Sequence, residues 1–514
     1  MKCCIMSARE VKIGILSSYG IFIADILAAL IFTPFLINSL GQSEYGVYAL
    51  IGSVVGSLMV LDFGFGSAII RYVAQYRAEN RKDKEQNLIA TCLLLYGIIA
   101  LIALGIGLVL LFFIDDIFGS KLSDSELSIA HSMFIISVFS VSISFLLGVF
   151  NAYIQGYEKF IVINSITLIR LIVRISVLTI LLSLGFKSIM VVIVDALLNL
   201  ATGILYILFT RVRLGLRVKL SKFDIRLLKE ISNYSFFIFI SSITDILFWR
   251  SGSFVLGATV GAKAVAVYTV GITLVSYFQY ISGVINEKLF PAITRMVVRG
   301  SDGNHLTSFC AKIGRIQFIL LSGILLGFQL FGDDFVYLWI GSNYLLSWWI
   351  GLILMTVMIV QAIQYPCVMI LRAKKKDGLR TVLQLIIIAV GVFLGNILIK
   401  WYSVIGMTLG LGIAVALLNL ILISMHYRKM FDFKPLTFLK QIVKLLPSIG
   451  VAYIFGRLLE FIPVGDSWGI FILKCAIFTG FYAISVWYLG ANEFEKSLVT
   501  SIFNRLTKLT VKTN

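Results

Sequence analysis

Charged side chains are scarce in this sequence. Asp, Glu, Lys and Arg make up 14% of its 514 residues, whereas 59% are hydrophobic and the mean hydropathy is +0.98. Soluble domains carry about 25% charged residues, and so little polar surface cannot cover so much apolar surface in water. The composition therefore excludes an ordinary soluble protein, and lipid must be the solvent for much of the chain.

Histidine and cysteine are also rare. The three histidines lie far apart and match no metal-ligand spacing. None of the six cysteines falls in a predicted external loop, so the sequence predicts neither a metal centre nor a disulfide framework. Because no interspan loop is long enough for a catalytic domain, we expect a protein that works within the membrane, with no catalytic residues and no resident cofactor.

Long apolar runs make up most of the chain. They are roughly 20 residues long and do not alternate polar with apolar residues, which favours membrane-spanning helices over a β-barrel. The pattern predicts an all-α polytopic membrane protein with about fourteen spans. We place them at 12–37, 47–70, 88–113, 129–153, 160–184, 188–209, 231–256, 265–287, 316–331, 348–371, 379–399, 404–424, 442–459 and 468–489.

The positive charge is distributed unevenly between the two sides of these spans. Of the 44 lysines and arginines, 35 lie on one set of interspan segments and 4 on the opposite set. Cytoplasmic loops collect Lys and Arg, so the first set, which includes both termini, is predicted to be cytoplasmic. The formal net charge of +18 therefore indicates contact with membrane lipids, and no nucleic-acid partner is expected.

An internal repeat divides the spans into two halves. A glycine, five residues and then Val-Tyr occur at 41–48 and again at 261–268, each time after the first span of a six-span set. Six spans is an even number, so the halves form a parallel repeat about an axis along the membrane normal. Such halves predict a central cavity and rocking motions. The predicted divisions are an N-terminal lobe at 1–210, a basic linker at 211–230, a C-terminal lobe at 231–425, and two extra spans with a tail at 426–514.

Four short motifs carry a family resemblance. Residues 39–48 read SLGQSEYGVY, residues 61–71 read LDFGFGSAIIR, residues 155–160 read QGYEKF, and residues 290–295 read FPAITR. Together they resemble the bacterial oligosaccharide flippases, the O-antigen translocases of the multidrug/oligosaccharidyl-lipid/polysaccharide exporter superfamily. The span count and the two halves extend the resemblance to nearly the whole chain.

The resemblance implies a function. Such a flippase moves an undecaprenyl-pyrophosphate-linked oligosaccharide from the cytoplasmic to the periplasmic leaflet of the bacterial inner membrane by alternating access. The implied partners are the polyprenyl-pyrophosphate-linked oligosaccharide, membrane lipids, and a polysaccharide polymerase with its chain-length regulator. No motif states which glycan is carried, and coupling to a H⁺ or Na⁺ gradient stays open.

Charged residues inside spans are functional candidates because their burial in lipid is costly. Arg170 and Arg174 are spaced i, i+4 and share one face of the fifth span. Two stacked guanidiniums suit a phosphate clamp, since each can donate two parallel hydrogen bonds. The alternative is a structural ion pair with Asp195 on the sixth span. The two roles are compatible, because an ion pair in the empty protein could be exchanged for a contact with phosphate.

Other charges complete the candidate set. Arg250 in the seventh span and Arg71 at a cytoplasmic span end are further candidates for binding pyrophosphate. Four aspartates are candidates for coupling an ion, or for pairing with an arginine: Asp25, Asp62, Asp195 and Asp245.

Two alternative functions belong to related transporters. One is a flippase for another polyprenyl-linked glycan, such as a peptidoglycan precursor, which the sequence hardly separates from the first. The other is a multidrug–cation antiporter, whose pocket should be acidic and aromatic, whereas several of the deep charges here are arginines. A membrane-bound polymerase or glycosyltransferase would need a large loop or an acidic metal-binding motif, and neither is visible.

Overall fold

The computed structural model describes residues 8–219, 225–287, 289–465 and 467–510. All regular secondary structure in these ranges is helical, which confirms the all-α fold class. Twelve of the described helices are long and apolar enough to cross a membrane. The predicted fourteen spans are reached when the 44-residue helix Gly378–Ile421 is divided at its one non-helical residue, Ser403, and the shorter apolar helix Ile238–Trp249 is included. The chain is therefore a multi-pass membrane protein.

The chain divides into two compact units, Met1–Thr269 and Val270–Asn514. The first unit ends within helix α11. Its helices are α1 (Ala8–Leu40), α2 (Gln42–Ser57), α3 (Phe65–Ala78), α4 (Lys82–Phe112), α5 (Ile114–Phe118), α6 (Asp124–Gly156), α7 (Phe160–Ser183), α8 (Ser188–Val212), α9 (Ile225–Trp249), α10 (Ser251–Thr259) and the start of α11 (Ala262–Glu287).

Helix α6 lies at the centre of the first unit, where it packs against α2, α3, α4 and α8, while α1 packs against α7. Small residues allow the close approach. A Cβ atom on Gly156 would lie 2.6 Å from Val73, and one on Gly203 would lie 2.2 Å from Leu147. Association of helices in lipid depends on such tight van der Waals contact. The helices that carry Asp195 and the two arginines of the fifth span are held in place by this packing.

The second predicted span, 47–70, is not one continuous helix. Helix α2 ends at Ser57, a 3₁₀ turn covers Leu58–Asp62, and Phe63 and Gly64 follow with φ of 50° and 75° before α3 begins. Left-handed residues cannot continue a right-handed helix. The prediction of one helix was wrong because apolar character averages smoothly across the break and does not report backbone conformation.

Two other predicted spans differ from the observed helices. The seventh, 231–256, is divided at Arg250 into α9 and α10. The ninth, predicted at 316–331 with an earlier start near Ile313, belongs to a 38-residue helix, Gly303–Ile340, whose polar ends fall outside the apolar run. The fifth and sixth, which carry the candidate arginines and Asp195, are close to their predicted bounds.

The second unit is built around α13. Its helices after α11 are α12 (Phe290–Val298), α13 (Gly303–Ile340), α14 (Leu346–Ala373), α15 (Gly378–Ile421), α16 (Tyr427–Phe431), α17 (Pro435–Val443), α18 (Leu446–Glu460), α19 (Trp468–Ser485) and α20 (Glu493–Thr510). Helix α13 packs against α14, α17, α18 and α19, and α14 packs against α15.

One buried arginine joins four segments of the second unit. The Arg315 side chain on α13 is 3% exposed, and it donates to both carboxylate oxygens of Glu495 at 2.6 and 2.9 Å. It also donates to the backbone carbonyls of Gln441 and, at 2.8 Å, Gly490. Because one guanidinium binds all these groups, the end of α17, the segment that follows α19 and the start of α20 are fixed against α13.

The predicted lobe boundaries at 210, 231 and 426 stay predictions. Residues 220–224 of the predicted linker lie outside the described residues.

Candidate functional site

A cavity of about 460 Å³ lies within the first unit. Helices α2, α6, α7 and α8 supply most of its lining, and Arg250 contributes from the junction between α9 and α10. It contains three of the four arginines predicted to bind pyrophosphate, together with Asp195. The lining residues are Tyr45, Tyr48, Ala49, Ile51, Gly52, Val55, Gly56, Ser137, Ser140, Val141, Arg170, Arg174, Val192, Asp195, Ala196, Asn199, Arg250 and Thr269.

Arg174 and Asp195 form a bidentate ion pair across α7 and α8. Arg174 Nε donates to Asp195 Oδ1 at 2.6 Å, and Nη2 donates to Oδ2 at 3.0 Å. The same Nη2 lies 3.5 Å from the Tyr48 hydroxyl on α2. About a quarter of each charged side chain remains exposed, 26% for Arg174 and 29% for Asp195. The pair is therefore formed and oriented, but it still faces the cavity.

Arg170 lines the cavity one helical turn from Arg174. Among the described residues, it makes no ion pair with a carboxylate. Asn199 follows Asp195 by one turn of α8 and donates to Ser140 at 3.3 Å and to Ser144 at 2.8 Å. The wall near Arg170 thus offers neutral hydroxyl and amide groups, so the charge of this guanidinium is not neutralised locally.

Arg250 enters the cavity against a glycine face of α2. Its Nη1 lies 3.4 Å from the Gly52 carbonyl oxygen. A Cβ atom on Gly56 would lie only 3.1–3.3 Å from the three outer atoms of the guanidinium. Gly52 and Gly56 are one turn apart on the helix, and the absence of a side chain at Gly56 leaves the space that the Arg250 guanidinium occupies.

The electrostatic balance of the lining is positive. Three guanidiniums face one carboxylate, Asp195, which is already engaged by Arg174. Two other cavities of similar size, about 530 and 490 Å³, have predominantly apolar linings. Guanidinium groups bind oxyanions with two parallel hydrogen bonds. The cavity with the arginines is therefore suited to an anion with several oxygen atoms.

The remaining predicted site residues lie away from this cavity. Asp62 lies at the break in the second span and accepts a 2.5 Å hydrogen bond from the Tyr96 hydroxyl. Arg71 is exposed on α3, where its guanidinium carbon lies 5.8 Å from the centre of the Tyr72 ring. Asp25 and Asp245 are exposed on α1 and α9. Their predicted roles in ion coupling or substrate binding stay predictions.

Sequence reasoning missed the neutral part of the site. Tyr48, Asn199, Ser140 and the pair Gly52 and Gly56 line the cavity without having been singled out as candidates. Two signals were present. Asn199 follows Asp195 at the same i, i+4 spacing as Arg174 follows Arg170. Gly52 and Gly56 are one turn apart, a spacing that favours close approach in membrane helices.

A protein family and a bacterial membrane protein both match this chain over more than half of its length. The family model described as "Polysaccharide biosynthesis protein" matches residues 12–297, more than half of the chain. The "Uncharacterized membrane protein EpsK" of Bacillus subtilis (strain 168) is 22% identical over 497 residues, covering 94% of this chain and 96% of that protein.

Two solved structures show the same fold. The lipid II flippase MurJ, in an inward closed conformation, superimposes with a TM-score of 0.67 at 16% identity, covering 92% of this chain and 99% of MurJ. A multidrug resistance MATE family transporter of the MOP superfamily, in an inward-facing conformation, gives a TM-score of 0.64 at 15% identity, covering 77% of this chain and 92% of the transporter.

Proposed function

The chain belongs to the polysaccharide biosynthesis protein family, and from this premise we propose that it is a flippase for undecaprenyl-pyrophosphate-linked oligosaccharides. The proposed cargo is a repeat unit of O-antigen or a related surface polysaccharide. Its movement runs from the cytoplasmic to the periplasmic leaflet of a bacterial inner membrane, by alternating access and with both termini in the cytoplasm. A polysaccharide polymerase and a chain-length regulator are the expected protein partners.

The observation that carries this proposal is the positive cavity of the first unit. A pyrophosphate must cross about 30 Å of hydrocarbon, where a bare anion is costly to desolvate. Fixed guanidiniums lower that cost, because they replace water with charged hydrogen-bond donors. Arg170 and Arg250 supply such donors from two different walls of the cavity.

The existing ion pair suggests an order of events. Arg170 and Arg250 receive the pyrophosphate first, since neither has to leave a carboxylate. Arg174 follows by moving its guanidinium from Asp195 to a phosphate oxygen. Asp195 is then left without its partner and is the carboxylate at which uptake of H⁺ or Na⁺ would couple to transport.

The two alternative functions fit the positive cavity to different degrees. A peptidoglycan precursor also carries a polyprenyl pyrophosphate, and the similarity in fold to the lipid II flippase MurJ keeps this alternative in place. A multidrug–cation antiporter is disfavoured, because three arginines outweigh the single aspartate and leave a net positive lining, which repels a cation.

The test is transport of a fluorescent polyprenyl-pyrophosphate-linked oligosaccharide in proteoliposomes, with membrane abundance measured in parallel. We expect Arg170→Ala to reduce transport by about 10- to 100-fold, the loss corresponding to a charge-assisted hydrogen bond of about 1.5–3 kcal/mol. Arg170→Lys should lose less, since a point charge remains while the bidentate geometry is lost. Lys187→Ala is the matched control, because this exposed cation donates, within the described part of the chain, only to the Ser39 carbonyl oxygen.

A second pair of variants separates substrate binding from structure. Arg174→Ala leaves Asp195 unpaired, so its abundance should fall, and the additional change Asp195→Asn should restore abundance but not transport. Transport restored in this double variant would show that Arg174 serves the ion pair alone. Normal transport by Arg170→Ala would remove the proposed role of the cavity.

A further inference from the structure

The segment between α15 and α18 is strongly basic and exposed. Residues 428–444 contain five basic side chains and one carboxylate, Asp432. All six are exposed, and none of the basic side chains makes an ion pair with any described residue. The basic residues are Arg428, Lys429, Lys434, Lys440 and Lys444.

Helix α17 in this segment has one face anchored in the protein. Phe438 is fully buried and Ile442 is 6% exposed, within the cluster that also contains Cys310 and Cys367. Gly314 of α13 packs directly against the Phe438 ring. With Arg315 holding the Gln441 carbonyl oxygen, the rotation of α17 about its own axis is fixed.

A second face of α17 is apolar but uncovered. Leu436, Leu439 and Val443 follow helical spacing along one stripe and are 74%, 41% and 54% exposed. Lys440 and Lys444, spaced i, i+4, occupy the adjacent face. An exposed apolar stripe beside lysines is typical of a helix at a membrane–water interface.

The level of α17 relative to the apolar helices follows from contacts at the end of α19. A Cβ atom on Gly490 would lie 2.7 Å from Ser448 Oγ and 3.0 Å from the Leu445 side chain. The start of α18 is therefore level with the end of the apolar stretch Trp468–Gly490, which contains α19. Helix α17 directly precedes α18, and together they form the 26-residue apolar stretch Pro435–Glu460, so α17 is the terminal part of a candidate membrane span.

We propose that α17 is a binding site for anionic phospholipid. Its stripe of Leu436, Leu439 and Val443 inserts beside the acyl chains, while Lys440 and Lys444 bind headgroup phosphates, with Lys434 and the α16 pair Arg428 and Lys429 adding positive potential. Each such lysine close to an anionic leaflet contributes favourably and loses effect as salt screens it. Through Arg315, lipid binding at α17 also stabilises the segment that follows α19 and the start of α20.

The first experiment compares melting temperatures of the full chain in two kinds of nanodisc, phosphatidylcholine alone and phosphatidylcholine mixed with phosphatidylglycerol. We expect phosphatidylglycerol to raise the melting temperature by several degrees, and high salt to reduce the rise. The variant Lys440→Gln/Lys444→Gln should lose most of the rise. The control Lys375→Gln/Lys376→Gln removes two exposed lysines from another loop and should retain it.

Three outcomes of this experiment would overturn the proposal. The α17 variant could keep the full rise, or the control could lose as much of it. Inorganic phosphate added to phosphatidylcholine nanodiscs could also reproduce the rise, which would point to a soluble anion and not to a lipid headgroup.

The second experiment measures the depth of α17 directly. Spin labels are attached to Leu439→Cys and Lys440→Cys, and their collisions with oxygen and with a polar nickel complex are compared in phosphatidylglycerol nanodiscs. We expect collisions with oxygen to dominate for the label at position 439 and collisions with the nickel complex to dominate for the label at position 440. Nickel dominance at both positions would show a surface in water, and protection of both from either reagent would show a protein partner; each result contradicts the proposal.

Discussion

Arg170 and Arg174 share one face of α7, yet of the two only Arg174 pairs with a carboxylate of a residue that the structure describes. The difference comes from α8, which places Asp195 opposite Arg174 and the neutral Asn199 one turn further on. Removing one member of a buried ion pair costs about 3–5 kcal/mol because it leaves the other charge uncompensated. With a quarter of each side chain exposed here, the cost should be smaller, and Arg170 should be replaceable without a loss of stability.

Gly56 controls the position of Arg250. In Gly56→Ala the new methyl group would lie 3.1 Å from the guanidinium carbon, and the flexible arginine side chain should move away while the helix stays intact. We expect transport to fall several-fold at unchanged abundance. The measurement is initial transport rate per folded protein in proteoliposomes.

Gly52→Ala is the matched control, on the same helix one turn away. A Cβ atom there meets nothing within 4 Å, so transport should be close to that of the unchanged protein. Equal rates for Gly52→Ala and Gly56→Ala would show that the position of Arg250 is not important for transport.

At the scale of single elements, the break in the second span requires a particular backbone. Gly64 has φ of 75°, which glycine adopts readily and alanine adopts only at a cost of about 1 kcal/mol or more. Gly64→Ala should therefore lower the melting temperature of the detergent-purified protein by a few degrees. Gly148→Ala should not, because Gly148 is helical and its added methyl group meets nothing within 4 Å.

The turn between α14 and α15 should give the second unit a pH-dependent stability. Burial alone would raise the pKa of Asp377, but hydrogen bonds and charge from Arg380, supported by Arg372, hold that pKa below its ordinary value of 3.8. A lowered pKa means that the carboxylate stabilises the folded state fully above 3.8, and that this contribution is lost as the pH falls through the lowered pKa.

Asp377→Asn should therefore destabilise the protein at neutral pH by about 1.5–3 kcal/mol, the range for hydrogen bonds to charged groups. The difference from the unchanged protein should shrink once the pH falls below the ordinary pKa of Asp377. Denaturation midpoints at neutral and acidic pH test this, with the exposed Asp116→Asn as control. A difference that does not depend on pH would contradict the ionic explanation.

The sequence predicted helices well and their interruptions poorly. A run of apolar residues shows where lipid is the solvent, because each such residue lowers the free energy of insertion. It carries no information on φ at Phe63 and Gly64 or on the division at Arg250. Similarly, helical spacing placed Arg170 and Arg174 on one face of a helix. The helices that surround this face are determined by tertiary packing, which a local sequence pattern does not show.

For the whole molecule, apolar pattern and charge placement preserve the fold while residue identity changes. The chain shares its fold with MurJ at only 16% identity. In lipid, most lipid-facing positions need only be apolar, so many residues satisfy them equally. A particular amino acid is required mainly at close helix contacts and at functional charges. For this reason the short motifs carried the family resemblance better than the apolar spans did.

The uneven distribution of Lys and Arg predicts the orientation of the whole molecule. In a variant without other cysteines, Asp124→Cys should react with an impermeant thiol reagent on intact cells, and Lys375→Cys should react only after the cells are opened. The reason is that basic loops remain in the cytoplasm. The reverse labelling pattern would invert the predicted topology.

The network of Arg315 has a consequence for biosynthesis. Glu495 is separated from Arg315 by 180 residues, and Gly490 by 175. At about 5–20 residues per second, the ribosome needs roughly 9 to 36 s to make that stretch. During this interval the guanidinium is already in the chain but lacks its carboxylate, so the second unit remains incomplete until α20 begins to emerge. A nascent chain halted before Glu495 would therefore present an unpaired cation at the membrane, a feature by which quality-control proteases could distinguish it from the finished protein.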